Sequence, residues 1–115
     1  MRSRSKATAK LYREQRVPLI EAMIERGDMC EACPKIYTFY PHMFTPAHPL
    51  HKAQTLHELR KRSANGSIVN PLNLMPVCNW ANNWVETWPL ESKEIDLVMR
   101  EGHPHWDEVS ARHDK

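Results

Sequence analysis

Three cysteines constrain this chain more than any other feature: Cys30-Glu31-Ala32-Cys33 forms a Cys-x2-Cys pair, and Cys78 stands alone further on. An odd count, in a chain that shows no secretory signal, argues against a disulfide framework. Metal ligation or reduced thiols remain. Two Cys-x2-Cys pairs would supply four soft thiolates, enough to close a tetrahedral structural zinc site. Here the second pair is broken, because Ala81 stands three residues after Cys78. Three ligands of four are therefore present, and His42, His48 or His51 is a candidate to complete a Cys3His set. The same residues can also be read as three small buried thiols without a metal.

Chain length makes that choice matter. At 115 residues the sequence fits one domain, and its core can only be modest, so a structural metal would help to stabilise it. With 41% hydrophobic and 26% charged residues, most of the chain is expected to fold. No apolar run approaches the length of a membrane span, so no membrane partner is expected. The first residues are basic but no apolar stretch follows them, which makes a cytoplasm the default expectation. A net charge of +2 says little by itself. Its distribution says more: Arg2, Arg4, Lys6, Lys10, Arg13 and Arg16 cluster early, and Lys52, Arg60, Lys61 and Arg62 form a second group. One basic face would bind phosphates in a salt-dependent way. A solvated helix face and a loose tail account for the same charges equally well.

Residues 1–6 read as a flexible basic tail and 7–29 as an N-terminal helical region. Within it, Leu11, Val17, Leu19, Ile20, Met23 and Ile24 give residues 7–26 a helical apolar stripe. Pro18 is expected to kink or restart this helix, and Gly27 to stop it. Residues 30–34 read as a turn carrying two thiols. Prolines at 41, 46 and 49 make residues 36–55 a loop with short extended pieces. A strand is expected over 54–60, then a turn at 63–67 on the Asn65-Gly66 signal, then a second extended segment over 68–77. Residues 78–88 suit a short helix that Pro89 ends, and 90–99 a last helix before a polar tail with Trp106. Trp80, Trp84 and Trp88 recur at spacing four, which points to core packing rather than base stacking.

The candidate chemistry lies in that middle region. His57-Glu58 sits on the expected strand, Asn73-Leu74 precedes Cys78, and Asn82 and Glu86 share one face of the expected helix. A strand-borne His/Glu pair facing a helix-borne Asn/Glu pair could hold one divalent ion. Each residue alone also has an ordinary reading, as a hydrogen-bonded strand histidine, a turn asparagine or a solvated helix face.

In this order the motifs resemble the HNH (ββα-metal) endonuclease family, in its phage-encoded zinc-knuckle branch. The likeness runs through Cys30-x2-Cys33, Leu56-His57-Glu58, Arg62-Ser63-Ala64-Asn65-Gly66-Ser67, Asn73-Leu74, Cys78 and Trp84-Val85-Glu86. It implies an α+β fold: a small ββα-metal, treble-clef-like domain with flanking helices, its core over 30–88 and a C-terminal helix and tail over 89–115. It further implies that His57 binds the catalytic metal and Glu58 stands where the general base is expected, or, shifted by one residue, that His57 is the base and Glu58 a ligand. Asn73 would fix the loop that orients the base, Asn82 and Glu86 would complete the metal site, and Cys30, Cys33 and Cys78 would hold structural zinc. Oxygen donors at Asn82 and Glu86 suit Mg2+ or Mn2+.

The implied reaction is metal-dependent hydrolysis of double-stranded DNA, with Arg60, Lys61 and Arg62 holding phosphates. A phage terminase is the implied protein partner, with a role in genome packaging. The alternatives are a catalytically impaired accessory that keeps the scaffold to bind DNA, and a protein that binds a host factor.

Overall fold

The structure is a computed structural model that describes residues 6–43 and 52–114. The first five residues, and with them most of the expected basic tail, lie outside the described residues. So do His48 and His51.

The chain opens with a long helix in three parts: α1 (Lys6–Leu11), a π-helical stretch (Tyr12–Arg16) and α2 (Val17–Arg26). The π stretch marks how the helix passes Pro18. A proline lacks the N–H of its own helical bond and crowds the carbonyl four residues back. Widening the preceding turn, so that Val17 N–H reaches the Tyr12 carbonyl, lets the helix continue instead of breaking. Gly27, at φ 73°, ends it.

The next element departs from the sequence expectation. Residues 32–39 are not a turn and loop but a helix, α3 (Ala32–Phe39). Pro34 lies in its first turn, where no internal N–H bond is lost. Ala32, Cys33 and Ile36 fall on one face and are buried. Pro41 then prevents further helix.

Strands β1 (Thr55–Glu58) and β2 (Leu74–Val77) pair antiparallel, with Leu56 opposite Pro76 and His57 opposite Met75. They are shorter than expected, and a long loop over residues 59–73 joins them. Asn65 does take a left-handed conformation at φ 62°, but Gly66 does not. The glycine is needed for space: a Cβ there would lie 1.7 Å from the Arg60 carbonyl oxygen. Helices α4 (Asn79–Thr87) and α5 (Pro89–Glu94) follow. The last helix is shorter than 90–99, because Asp96 turns left-handed at φ 61° and sends residues 97–99 back onto the end of β1.

The hairpin forms the middle of three layers. One face, with Leu56 and Leu74, packs on Met23, Leu19 and Ile20 of α2. The other, with Met75 and Val77, packs into a core made with Ile36, Ala81, Trp84, Val85, Ile95 and Leu97. All three cysteines lie in that second core. Of the three helix tryptophans only Trp84 is fully packed; Trp80 lies at the core's edge and Trp88 is 42% exposed. Among the described residues no helix is long and apolar enough to cross a membrane.

Candidate functional site

The start of α3 supplies Cys30 and Cys33, and the junction of β2 and α4 supplies Cys78. Their sulfurs all lie within 4.8 Å of one another, and Cys33 and Cys78 are 3.5 Å apart. Three corners of a zinc tetrahedron with ~2.3 Å bonds are separated by about 3.8 Å, so the triad has the size of a thiolate metal site. All three residues are buried and none is in a disulfide.

Local backbone prepares these sulfurs for negative charge. Cys33 N–H donates to Cys30 Sγ and Ala81 N–H donates to Cys78 Sγ, both at 3.4 Å. Each sulfur thus caps the first turn of a helix, at its positive end. The Cys33 thiol donates to the Cys30 sulfur, and with backbone N–H groups it holds the Cys30 thiol down to about 5. Cys33 is pushed up chiefly by that same bond, and Cys78 chiefly by burial. A divalent cation entering the triad would displace its thiol protons and offset two of the three thiolate charges. The triad can hold a metal ion such as zinc.

The fourth corner is not filled by any described histidine. Ala81, fully buried, occupies the position of a fourth cysteine. His42 is exposed and sits edge-on to Tyr40 at 6.4 Å, apart from the cluster.

The second group of candidates lies at the far end of the hairpin. Successive strand residues face opposite ways, so β1 separates His57 from Glu58. His57 faces the core side, is 4% exposed, and its Nε2 lies 2.6 Å from the Leu97 carbonyl. That contact makes Nε2 the protonated nitrogen, the donor, and leaves Nδ1 as the acceptor. Burial pushes the His57 pKa down, opposed in part by the Leu97 carbonyl and the negative charges of Glu58 and Glu86. Leu97 is itself held by its N–H to the Ser92 carbonyl at 2.8 Å, so the turn after α5 positions the acceptor.

Glu58 faces the N-terminal helix instead. Its oxygens lie 3.6 Å from Arg16 and 3.2 Å from Arg62. On α4, Asn82 is half-buried and Glu86 exposed. His57, Glu58 and Glu86 do not gather their ligand atoms within 4.8 Å; among the described residues only the cysteine triad does so.

Asn73 is fully buried and grips the long loop at both ends. Its Oδ1 accepts from Arg60 N–H at 2.6 Å, and its Nδ2 donates to the carbonyls of Arg60 at 3.0 Å and Ser67 at 2.7 Å. Two of the arginines on the sequence's list of phosphate contacts are engaged within the fold. Arg60 donates to the carbonyls of Ala64 and Trp106 and stacks 3.9 Å over the Trp106 ring, and Arg62 pairs with Glu58. Among the described residues, Lys61 has no hydrogen-bond or ion-pair partner for its ammonium.

Arg16 is the residue the sequence concealed. Counted with the basic N-terminal cluster, it is instead 4% exposed and donates to the carbonyls of Ile68 at 2.9 Å and Leu56 at 2.5 Å. Its spacing held the signal: Arg16, Leu19, Ile20 and Met23 share one helical stripe. No family model matches this sequence, and no curated protein and no solved structure matches it either.

Proposed function

We propose that this chain is a metal-dependent DNA endonuclease of HNH type, built on a hairpin and helix around a cysteine-held structural zinc. The observation that carries the reading is the fixing of His57. Its imidazole is neutral, tautomerically set by the Leu97 carbonyl, and lies within the electrostatic reach of Glu86 on α4. A neutral imidazole with Nδ1 as acceptor suits either a general base or a metal ligand. Asn73 supports the reading by bracing the loop that leaves β1.

Asn82 and Glu86 offer two oxygens one helical turn apart on the side of the hairpin that His57 faces. Mg2+ or Mn2+ keeps several waters and needs only one or two protein carboxylates or carbonyls, so this donor set fits a hard cation. Such an ion would supply charge neutralisation at the scissile phosphate. His57 would take a proton from the attacking water, and Lys61 of the hairpin loop would help to hold the strand. Help to a packaging terminase is the setting the resemblance implies.

A second reading has its own observation. His57 is 4% exposed and Glu58 is paired with two arginines, so neither offers a free base to solvent. That favours a scaffold that binds DNA without cutting it. Supercoiled plasmid incubated with Mg2+ or Mn2+ separates the two. The nuclease reading expects nicked product from the wild type and at least a hundredfold less from His57→Ala (roughly the effect of losing a general base). Binding without cleavage, or equal cleavage by both proteins, overturns it.

A further inference from the structure

The arginines nearest the hairpin end are engaged within the fold, yet three other cations there are not. Among the described residues, the side chains of Lys61, Lys93 and Arg100 have no hydrogen-bond or ion-pair partner. All three line one cavity of about 600 Å3, between the hairpin loop, α5 and residues 98–106. Its remaining wall is largely apolar, with Leu90, Met99 and Trp106. Two carboxylates also line it, and Glu94 is already bound by the Tyr40 hydroxyl at 2.7 Å, which leaves Glu101 as the only unbound acid there.

We propose that this cavity is a groove for the backbone of a DNA strand, with Lys61, Lys93 and Arg100 holding phosphates. Three cations against two carboxylates leave the lining with a positive excess, and low-dielectric walls focus that potential into the cleft. The volume lies in the range of sites that enclose a ligand. Position gives the groove its meaning. Met99, in its wall, donates its N–H to the Leu59 carbonyl at 2.7 Å, and Leu97, two residues earlier, takes the His57 hydrogen bond. A strand lying there would be led to the hairpin end. Lys93 and Arg100 come from a segment that the charge clusters of the sequence did not single out. The two are brought together by the left-handed turn at Asp96, which folds residues 97–100 back alongside α5.

The choice of DNA as occupant rests on the endonuclease reading; the groove's affinity for phosphodiester backbone does not depend on cleavage. The test is fluorescence anisotropy with a short labelled duplex over a series of salt concentrations, without added divalent metal. Lys93→Gln with Arg100→Gln should weaken binding roughly tenfold and lower the slope of log affinity against log salt by about two, one for each phosphate contact removed. Both side chains are exposed, so the fold should persist, which circular dichroism checks. Lys35→Gln with Arg26→Gln, which removes two cations outside the groove, should leave the slope within about half of one contact. Equal losses for the two double variants overturn the proposal, as does displacement of the duplex by thymidine monophosphate at concentrations comparable to the duplex itself. Plasmid nicking is scored in parallel. Binding that depends on the groove without nicking overturns the endonuclease reading alone, and nicking with unaltered binding by the groove variant overturns the groove alone.

Discussion

Asn73→Ala is the perturbation that most directly tests how the hairpin end is held. The side chain is fully buried and makes three hydrogen bonds, to Arg60 N–H, Arg60 carbonyl and Ser67 carbonyl. At about 1 kcal/mol net for each bond, alanine costs about 3 kcal/mol, and more if the three backbone groups stay dry and unpaired. For a domain of this size that is a large share of the folding free energy, typically about 5–15 kcal/mol. Urea unfolding followed by tryptophan fluorescence measures it. With an m-value of about 1.5 kcal/mol/M, the midpoint should fall by about 2 M. Asn73→Asp sharpens the test. The aspartate keeps an acceptor for Arg60 N–H but turns a second oxygen toward two carbonyls, in a fully buried site. At neutral pH it should cost at least as much as alanine, and it should regain stability in acid, when protonation restores one donor. A cost below about 1 kcal/mol for alanine, or a neutral-pH aspartate as stable as wild type, would refute the claim that these bonds hold the loop.

Three further outcomes follow from the geometry. Ala81→Cys supplies the missing fourth thiolate beside the Cys78 sulfur, which already accepts from residue 81's N–H, so zinc affinity in competition with a chromophoric chelator should rise roughly tenfold or more; unchanged affinity would show that the triad does not bind zinc in a knuckle. His57 has its pKa lowered from 6.5, so the unfolded chain binds the extra proton first, and the stability this residue contributes is complete above about 6.5 and declines as pH falls below it. The difference in unfolding free energy between wild type and His57→Gln should therefore shrink in acid, and a difference independent of pH would rule out a buried neutral imidazole. Arg16→Ala removes two charge-assisted bonds to buried carbonyls and should cost about 3 kcal/mol in the same urea experiment, whereas a surface phosphate contact would cost almost nothing.

The sequence announced the hairpin and the helix after Cys78, because each carries a local signature, and it left open whether Cys78 joins the Cys-x2-Cys pair at a metal site. Cys-x2-Cys, alternating strand residues and a proline-bounded helix are patterns of neighbours. It announced α3 poorly: Pro34 and Pro41 look like breakers, yet one sits in a first turn and the other just past a helix end, where both are tolerated. It placed the turn at 63–67, but not the reason for its glycine: one required for close backbone approach, as Gly66 is, has the same letter as one required for positive φ. Long-range polar contacts left the weakest trace. Nothing adjacent to Arg16 tells that its guanidinium reaches Leu56 and Ile68, and nothing near Leu97 tells that its carbonyl meets His57.

Those same contacts bear on how any loss of activity in this chain is to be interpreted. Arg16, Asn73 and His57 are buried polar residues that fasten one hairpin to three different partners: the N-terminal helix, the 59–73 loop and the turn after α5. A core this small gains much of its definition from such fixed bonds, because a mispaired alternative would leave charges and amides unsatisfied. The cost is that scaffold and candidate chemistry share residues. Removing His57 takes away a candidate base and also one of the hydrogen bonds that hold the 97–99 segment beside the cationic groove. A dead His57→Ala protein is therefore informative only beside a folded one. His57→Gln, its amide Nε2 standing in for the imidazole Nε2 donor, is the variant to set against it. If glutamine restores stability and groove affinity yet not cleavage, the imidazole acts on the reaction; if it restores all three, the residue is a brace.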